Sequence, residues 1–168
     1  MDGFRTDSYC GLYCGACDIL VAYKNSIKTG KLPVWQDLPE QFINNIPTGK
    51  KDEIKCFGCK TGIVFGGCAR CIPRKCAREK MKVEFCFECE KYPCLKYKIQ
   101  RIAIKYFFQK RLPHLKTIAP NQEMIKKEGV EKWLQDQQKQ WQCTECSKEL
   151  SWYKNTCQSC NKPDEAGI

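Results

Sequence analysis

Cys143-Thr-Glu-Cys146 and Cys157-Gln-Ser-Cys160, separated by ten residues, form the stretch on which the reading of the fold turns. Each Cys-x2-Cys turn presents two thiolates on one side of a tight loop, and two such turns supply the four sulfurs that close a tetrahedron around one zinc ion. The intervening Lys148 to Thr156 is long enough for a hairpin, so the unit reads as a short β zinc ribbon. Trp141, Leu150, Trp152 and Tyr153 are its only candidates for apolar cover. A four-thiolate site is closed to substrate, which makes the expected role of the metal structural. Trp152 and Tyr153 have the chemistry to stack on bases, but residues 113–168 balance eight Lys/Arg against eight Asp/Glu and so lack a basic footprint.

The rest of the chain repeats the theme. There are 15 cysteines in 168 residues, with 29% charged residues, so something other than a large apolar core must stabilise the fold. The opening Met1-Asp2-Gly3-Phe4-Arg5-Thr6-Asp7 is polar and acidic, and no apolar run of signal or membrane-spanning length follows it. With an odd cysteine count and recurring Cys-x2-Cys pairs, this favours metal thiolates in a reducing, cytoplasmic setting over disulfides. The net charge of +10 lies entirely in residues 1–112, which hold 21 Lys/Arg against 11 Asp/Glu. Each four-thiolate zinc contributes about −2, so part of that excess offsets the metal sites.

Eleven cysteines lie outside the ribbon: Cys10, Cys14, Cys17, Cys56, Cys59, Cys68, Cys71, Cys76, Cys86, Cys89 and Cys94. Cys56-x2-Cys59-x8-Cys68-x2-Cys71 has zinc-knuckle spacing, and Cys86 with Cys89 needs two of Cys76, Cys94 and the N-terminal trio to close a second site. Three arrangements stay open. In order of preference they are two four-cysteine zincs with three thiols left over, three sites completed by His114, or a separate cluster on Cys10, Cys14 and Cys17. Two or three zinc ions in the whole chain are expected. His114, the only histidine, follows a proline in a connector and reads as a surface residue. Cys68-x2-Cys71-x4-Cys76 and Cys86-x2-Cys89-x4-Cys94 share one spacing and read as two similar knuckles. Cys76 sits among Arg74, Lys75 and Arg78, an environment that favours thiolate, and ligation is preferred over redox chemistry.

Periodicity predicts helices over 15–28 and 33–46, a small strand at Ile63-Val64-Phe65, and a helix from Pro93 to about Arg111 with Leu95, Ile99, Ile102, Ala103 and Tyr106 as its apolar stripe. Two more helical segments, broken near Gly129, carry Met124, Ile125, Val130, Trp133, Leu134, Gln137 and Trp141. Lys98, Arg101 and Lys105 line the face opposite the stripe; with Lys50, Lys51, Lys80 and Lys82 they offer a patch for nucleic acid or an acidic protein.

Cys10-x3-Cys14-x2-Cys17 resembles the cluster motif of radical S-adenosylmethionine enzymes, but the barrel those enzymes need is absent from the pattern of elements. An iron-sulfur or redox site on these three residues is kept as the alternative. Cys10-Gly-Leu-Tyr-Cys14-Gly-Ala-Cys17, Cys56-Phe-Gly-Cys59 and Cys86-Phe-Glu-Cys89-Glu-Lys-Tyr-Pro-Cys94 together resemble the cysteine-rich domain-of-unknown-function family numbered 3795, over about residues 8–110. That resemblance implies a metal-bound scaffold in a prokaryotic cytosol and brings no activity with it.

The resulting expectation is a small metal-stabilised protein, mainly α with irregular zinc knuckles and a short β zinc ribbon at the C-terminus. It divides into a cysteine-rich metal-binding domain at 1–112 and a helical connector plus zinc ribbon at 113–168. No catalytic constellation is present: no His-Glu-x-x-His, nucleophile elbow or phosphate loop occurs. The expected role is a non-enzymatic binding or regulatory module that contacts protein or nucleic acid and no membrane.

Overall fold

The computed structural model describes residues 3–46, 52–108, 110–154 and 156–163. Helix α1 (Asp18–Thr29) starts directly at Cys17 and ends on Gly30, whose φ of 72° lets its N–H reach the Ser26 carbonyl at 2.8 Å. Its Ile19, Leu20, Val21 and Tyr23 are buried. The expected second helix is split: a 3-10 turn at Trp35–Asp37 precedes the short α2 (Glu40–Asn45), which buries Phe42. Pro39 separates the two and cannot donate the hydrogen bond a continuous helix needs.

The strand expected at 63–65 does not form. The Phe65 carbonyl instead accepts from Ala69 N at 2.8 Å and opens α3 (Gly66–Ala69), and Ile63 O accepts from Phe57 N at 2.9 Å and from the Thr61 hydroxyl at 2.8 Å. Helix α4 (Ile72–Lys75) widens into a π-type turn over Cys76–Met81. A 3-10 turn at Cys86–Glu88 leads to α5 (Leu95–Ala103), which widens in the same way over Ile104–Phe108. A further 3-10 turn at Pro113–Thr117 precedes α6 (Ile118–Glu128) and α7 (Val130–Gln140), broken at Gly129 as its φ of 86° requires. Among the described residues there is no β-strand. The ribbon holds its shape through two isolated antiparallel bridges, Gln142 with Glu149 and Thr156 with Pro163. The molecule is thus a mainly α-helical small domain. No described helix is long and apolar enough to cross a membrane.

Two apolar clusters organise the chain, and both draw on residues from either side of residue 112. One joins Tyr13, Ala16 and Phe85 to Ile125, Trp133, Trp141 and Leu150. Trp133 is fully buried and meets the Tyr13 ring edge-on at 6.0 Å. The other cluster joins Ile19, Leu38, Phe42, Ile54 and Phe65 to Tyr153.

The stripe on α5 faces the opposite way from expectation. Leu95 is 72% exposed, Ile99 57%, Ile102 56%, Tyr106 69% and Phe107 71%, while Ile104 is the buried residue of this segment. Periodicity reports that a helix has two faces; here Tyr97, whose hydroxyl donates to Gln122 Oε1 at 2.7 Å, and Ile104 face the protein while the apolar stripe meets solvent. Lys50 and Lys51 of the expected basic patch lie outside the described residues.

Candidate metal centres

The ribbon is two copies of one loop. Cys143 N donates to Lys148 O at 2.8 Å and Ser147 N to Cys143 O at 2.9 Å; fourteen residues on, Cys157 N donates to Lys162 O at 2.8 Å and Asn161 N to Cys157 O at 2.9 Å. Ser147 and Asn161, each following the second cysteine of its pair, both take a φ of 57°. The sequence carries this repeat as Cys-Ser-Lys at 146–148 and Cys-Asn-Lys at 160–162, a signal the spacing of cysteines alone does not convey. The loops face each other so that Cys143 Sγ lies 3.6 Å from Cys160 Sγ and Cys146 Sγ 3.4 Å from Cys157 Sγ. All four sulfurs fall within 4.8 Å of one another.

Bare thiolates at that spacing would repel strongly. The Ser159 N–H holds the Cys157 thiol low, at about 6, and the N–H groups of Cys146 and Glu145 lower that of Cys143. Cys160 is raised to about 12: the Lys162 N–H pulls it down, but desolvation and the other sulfurs prevail. A dication at the centre resolves the conflict, and a four-sulfur tetrahedral donor set fits it. Trp141 and Leu150 cover the site from one cluster and Tyr153 joins the other, so the expected apolar cover is present.

The eleven body cysteines are seated by a different framework. Residues 5–17 form an ordered loop pinned at several points. Arg5 N donates to Phe57 O at 2.7 Å and Cys14 N to Thr6 O at 2.6 Å. Asn121 Nδ2 holds Gly11 O at 2.9 Å, and Gln122 Nε2 holds Cys10 O at 2.9 Å. The Gln122 carbonyl accepts from the hydroxyls of Tyr92 and Tyr97, at 3.0 and 2.7 Å. One fully buried amide therefore joins the N-terminal loop, the 92–97 segment and α6. The loop at 56–59 passes so close that a Cβ on Gly58, at φ +113°, would stand 1.8 Å from Arg5 O. In return Gly58 N donates to Cys56 Sγ at 3.3 Å, the kind of N–H···S bond that steadies a ligating thiolate. Below this loop Lys60 is buried over the Phe85 ring and paired with Asp7 at 2.7 Å. Desolvation pushes the Asp7 carboxyl up, but hydrogen bonds from Arg5 and Lys60 outweigh it and hold it below the usual carboxylate range.

Burial and mutual repulsion raise the body thiols, and the neighbours responsible reveal who stands near whom. Desolvation, then Cys59, Cys17 and Cys68, raise Cys14 well above the ordinary thiol; desolvation, then Cys56, push Cys17 up to about 12. Cys68, whose residue as a whole is exposed, is raised by desolvation of its thiol and by Cys17, Cys56 and Cys59. Desolvation and Cys10 raise Cys59 to about 12 and Cys71 to about 11. The N-terminal trio thus has different neighbours: Cys14 lies near Cys59 and Cys68, Cys17 near Cys56 and Cys68, and Cys10 near Cys59, Cys71 and Cys86, with Cys59 common to both sides. Cys76, Cys86, Cys89 and Cys94 line one cavity. Raised thiols of this kind are poor nucleophiles until a cation replaces their protons.

His114 departs from the surface position expected of it. It is buried, its Nδ1 is 2.6 Å from the Tyr153 hydroxyl, and its ring stacks on Trp152 at 4.1 Å. Burial lowers its pKa to about 3, so the ring is neutral. Among the described residues it joins no metal-sized group. Both aromatic residues proposed for base stacking are therefore occupied within the protein.

A family model described as "Protein of unknown function (DUF3795)" matches residues 6–99, more than half of the chain. That span includes all eleven body cysteines and stops before the ribbon. No curated protein and no solved structure matches the chain.

Proposed function

We propose, from the premise that this chain belongs to the DUF3795 family of proteins of unknown function, that it is a metal-thiolate docking module: zinc in the ribbon fixes the scaffold, and α5 presents the contact surface to a protein partner. The observation that carries this reading is the exposed stripe of Leu95, Ile99, Ile102 and Tyr106, set at helical spacing on a rigid element. Such a face is the anchor pattern of a helix seated in an apolar groove.

Charge selects the kind of partner. Residues 91–111 hold seven Lys/Arg and no Asp/Glu, so a second copy of the chain would meet like charge across the contact. A nucleic acid would engage the cations and leave the Leu and Ile side chains unused. An apolar groove rimmed by Asp and Glu satisfies both the stripe and its border.

The test places a photo-crosslinking side chain at Ile99 in the full chain, expressed in its native host, with Gln138 on α7 as an exposed control. The expected result is a crosslink to one protein at a segment of net negative charge, absent from the Gln138 control and suppressed by Ile102→Glu. Crosslinks to lipid, to nucleic acid or to a second copy, or equal crosslinking at both positions, would reject the reading.

A further inference from the structure

A cleft of about 530 Å³ lies between α1, the end of α7 and the ribbon, a volume in the range that takes a small molecule. Helix α1 turns one face to it, with Val21, Lys24, Asn25 and Lys28 recurring at helical spacing. The ribbon supplies the opposite wall from Ser147 to Ser151. No cysteine borders the cleft, and neither does the docking face on α5.

Its floor holds a polar group without a partner. Tyr13 is only 7% exposed, and its ring is fixed edge-on against Trp133. Among the described residues nothing hydrogen-bonds its hydroxyl, although a buried O–H left unpaired is costly. Gly15 makes the room for it: a Cβ there would stand 2.4 Å from the hydroxyl oxygen and 2.3 Å from Cζ. Gly15 lies in a 3-10 turn and has no positive φ, so the backbone does not ask for glycine; the missing side chain serves the space. Both residues border the cleft, which sets an uncommitted O–H donor on its floor.

We propose that this cleft binds a phosphate monoester of a polar small molecule, at a site independent of the docking face. Charge is the first argument. Among the described residues the walls carry Lys24, Lys28, Lys148 and Lys154 against one acid, Glu149. Lys24 is ion-paired with Glu149, and Lys154 reaches the Asp37 carbonyl at 3.4 Å. The ammonium groups of Lys28 on α1 and Lys148 on the ribbon have no partner among the described residues, one on each side of the cleft. Two such charges match a phosphate group carrying about −2. The walls hold no arginine, so the planar fork that suits a carboxylate is missing, whereas lysine meets phosphate as a point charge. The Tyr13 hydroxyl adds a directed donor. The rest of the polar wall includes the amides of Asn25, Gln138 and Gln158, which both give and accept hydrogen bonds and so call for a polar organic part.

The zinc-loaded full chain is titrated by calorimetry with adenosine monophosphate and with glucose 6-phosphate, which share the phosphate and differ in the organic part, and with inorganic phosphate as control. One of the two esters should bind at a single site per chain, more tightly than inorganic phosphate. Lys28→Gln/Lys148→Gln should weaken that binding by about tenfold or more, and Tyr13→Phe by about fivefold. Tyr13→Phe keeps the ring against Trp133, so its urea midpoint should match wild type. Lys98→Gln/Lys105→Gln removes the same charge from α5 and should bind as wild type does. No saturable binding of either ester below about 1 mM, inorganic phosphate bound as tightly as the ester, or wild-type affinity in the cleft variants would overturn the assignment. So would equal weakening in the α5 variant, or a lowered midpoint in Tyr13→Phe, which would mean that its hydroxyl is already satisfied within the protein.

Discussion

Gln122 holds three partners at once: the Cys10 carbonyl and the hydroxyls of Tyr92 and Tyr97. Replacing it by Met keeps the volume but strands all three groups, and each unpaired buried group costs about 1–3 kcal/mol. Gln122→Met is therefore expected to lower stability by about 2–4 kcal/mol, read as a drop in the urea midpoint of the metal-loaded protein. A wild-type midpoint would mean that packing alone holds the loop. In the sequence Gln122 is one polar residue on a helix, and nothing local marks it. Ile118, Gln122 and Ile125 nevertheless share one buried face at helical spacing, and a polar residue on such a face needs partners. His114 reads as a surface residue in the sequence for a related reason: its two neighbours, Trp152 and Tyr153, come from a segment about 40 positions away.

Among the elements, the ribbon was the most legible, because cysteine spacing encodes a metal tetrahedron without help from distant residues. Its expected strands shrink to two bridges because each arm is only long enough to reach the metal and return. Cys157→Ser removes one ligand and should abolish zinc binding at this site, measured as one ion fewer per chain. It should also red-shift the fluorescence of Trp141, which is buried against Leu150 and the site. Retained zinc would count against a four-thiolate centre. Helix α5 carries the opposite lesson. Its period was clear, but a hydrophobic pattern names a face without saying whether this chain or another molecule covers it. Placing Lys98, Arg101 and Lys105 on the face opposite the stripe left open what the stripe itself would meet.

Across the whole molecule, the division at residue 112 is bridged by contacts no local pattern could announce. Trp152 N donates to Ala16 O at 2.9 Å, Ser151 Oγ to Asp18 at 2.8 Å, and both apolar clusters mix the two parts. His114 sits at this junction and sets a pH dependence. Unfolded, it takes a proton near 6.5; folded, burial delays protonation to about 3. The unfolded chain therefore binds more protons between these values. Its contribution is whole above 6.5 and is lost as pH falls toward 3, by at most about 1.4 kcal/mol per unit. His114→Phe should be less stable than wild type at neutral pH but lose less on acidification, in urea midpoints compared at two pH values. Parallel loss in both proteins would contradict the assignment.

The bond from Trp152 to Ala16 also bears on synthesis. A ribosome releases Cys14 and Cys17 long before it reaches the ribbon that braces them, so these thiols spend most of translation without their final support. The first-made segment therefore cannot be locked in place until the last-made one has folded against it, and the earliest cysteines stay unbraced until synthesis is complete.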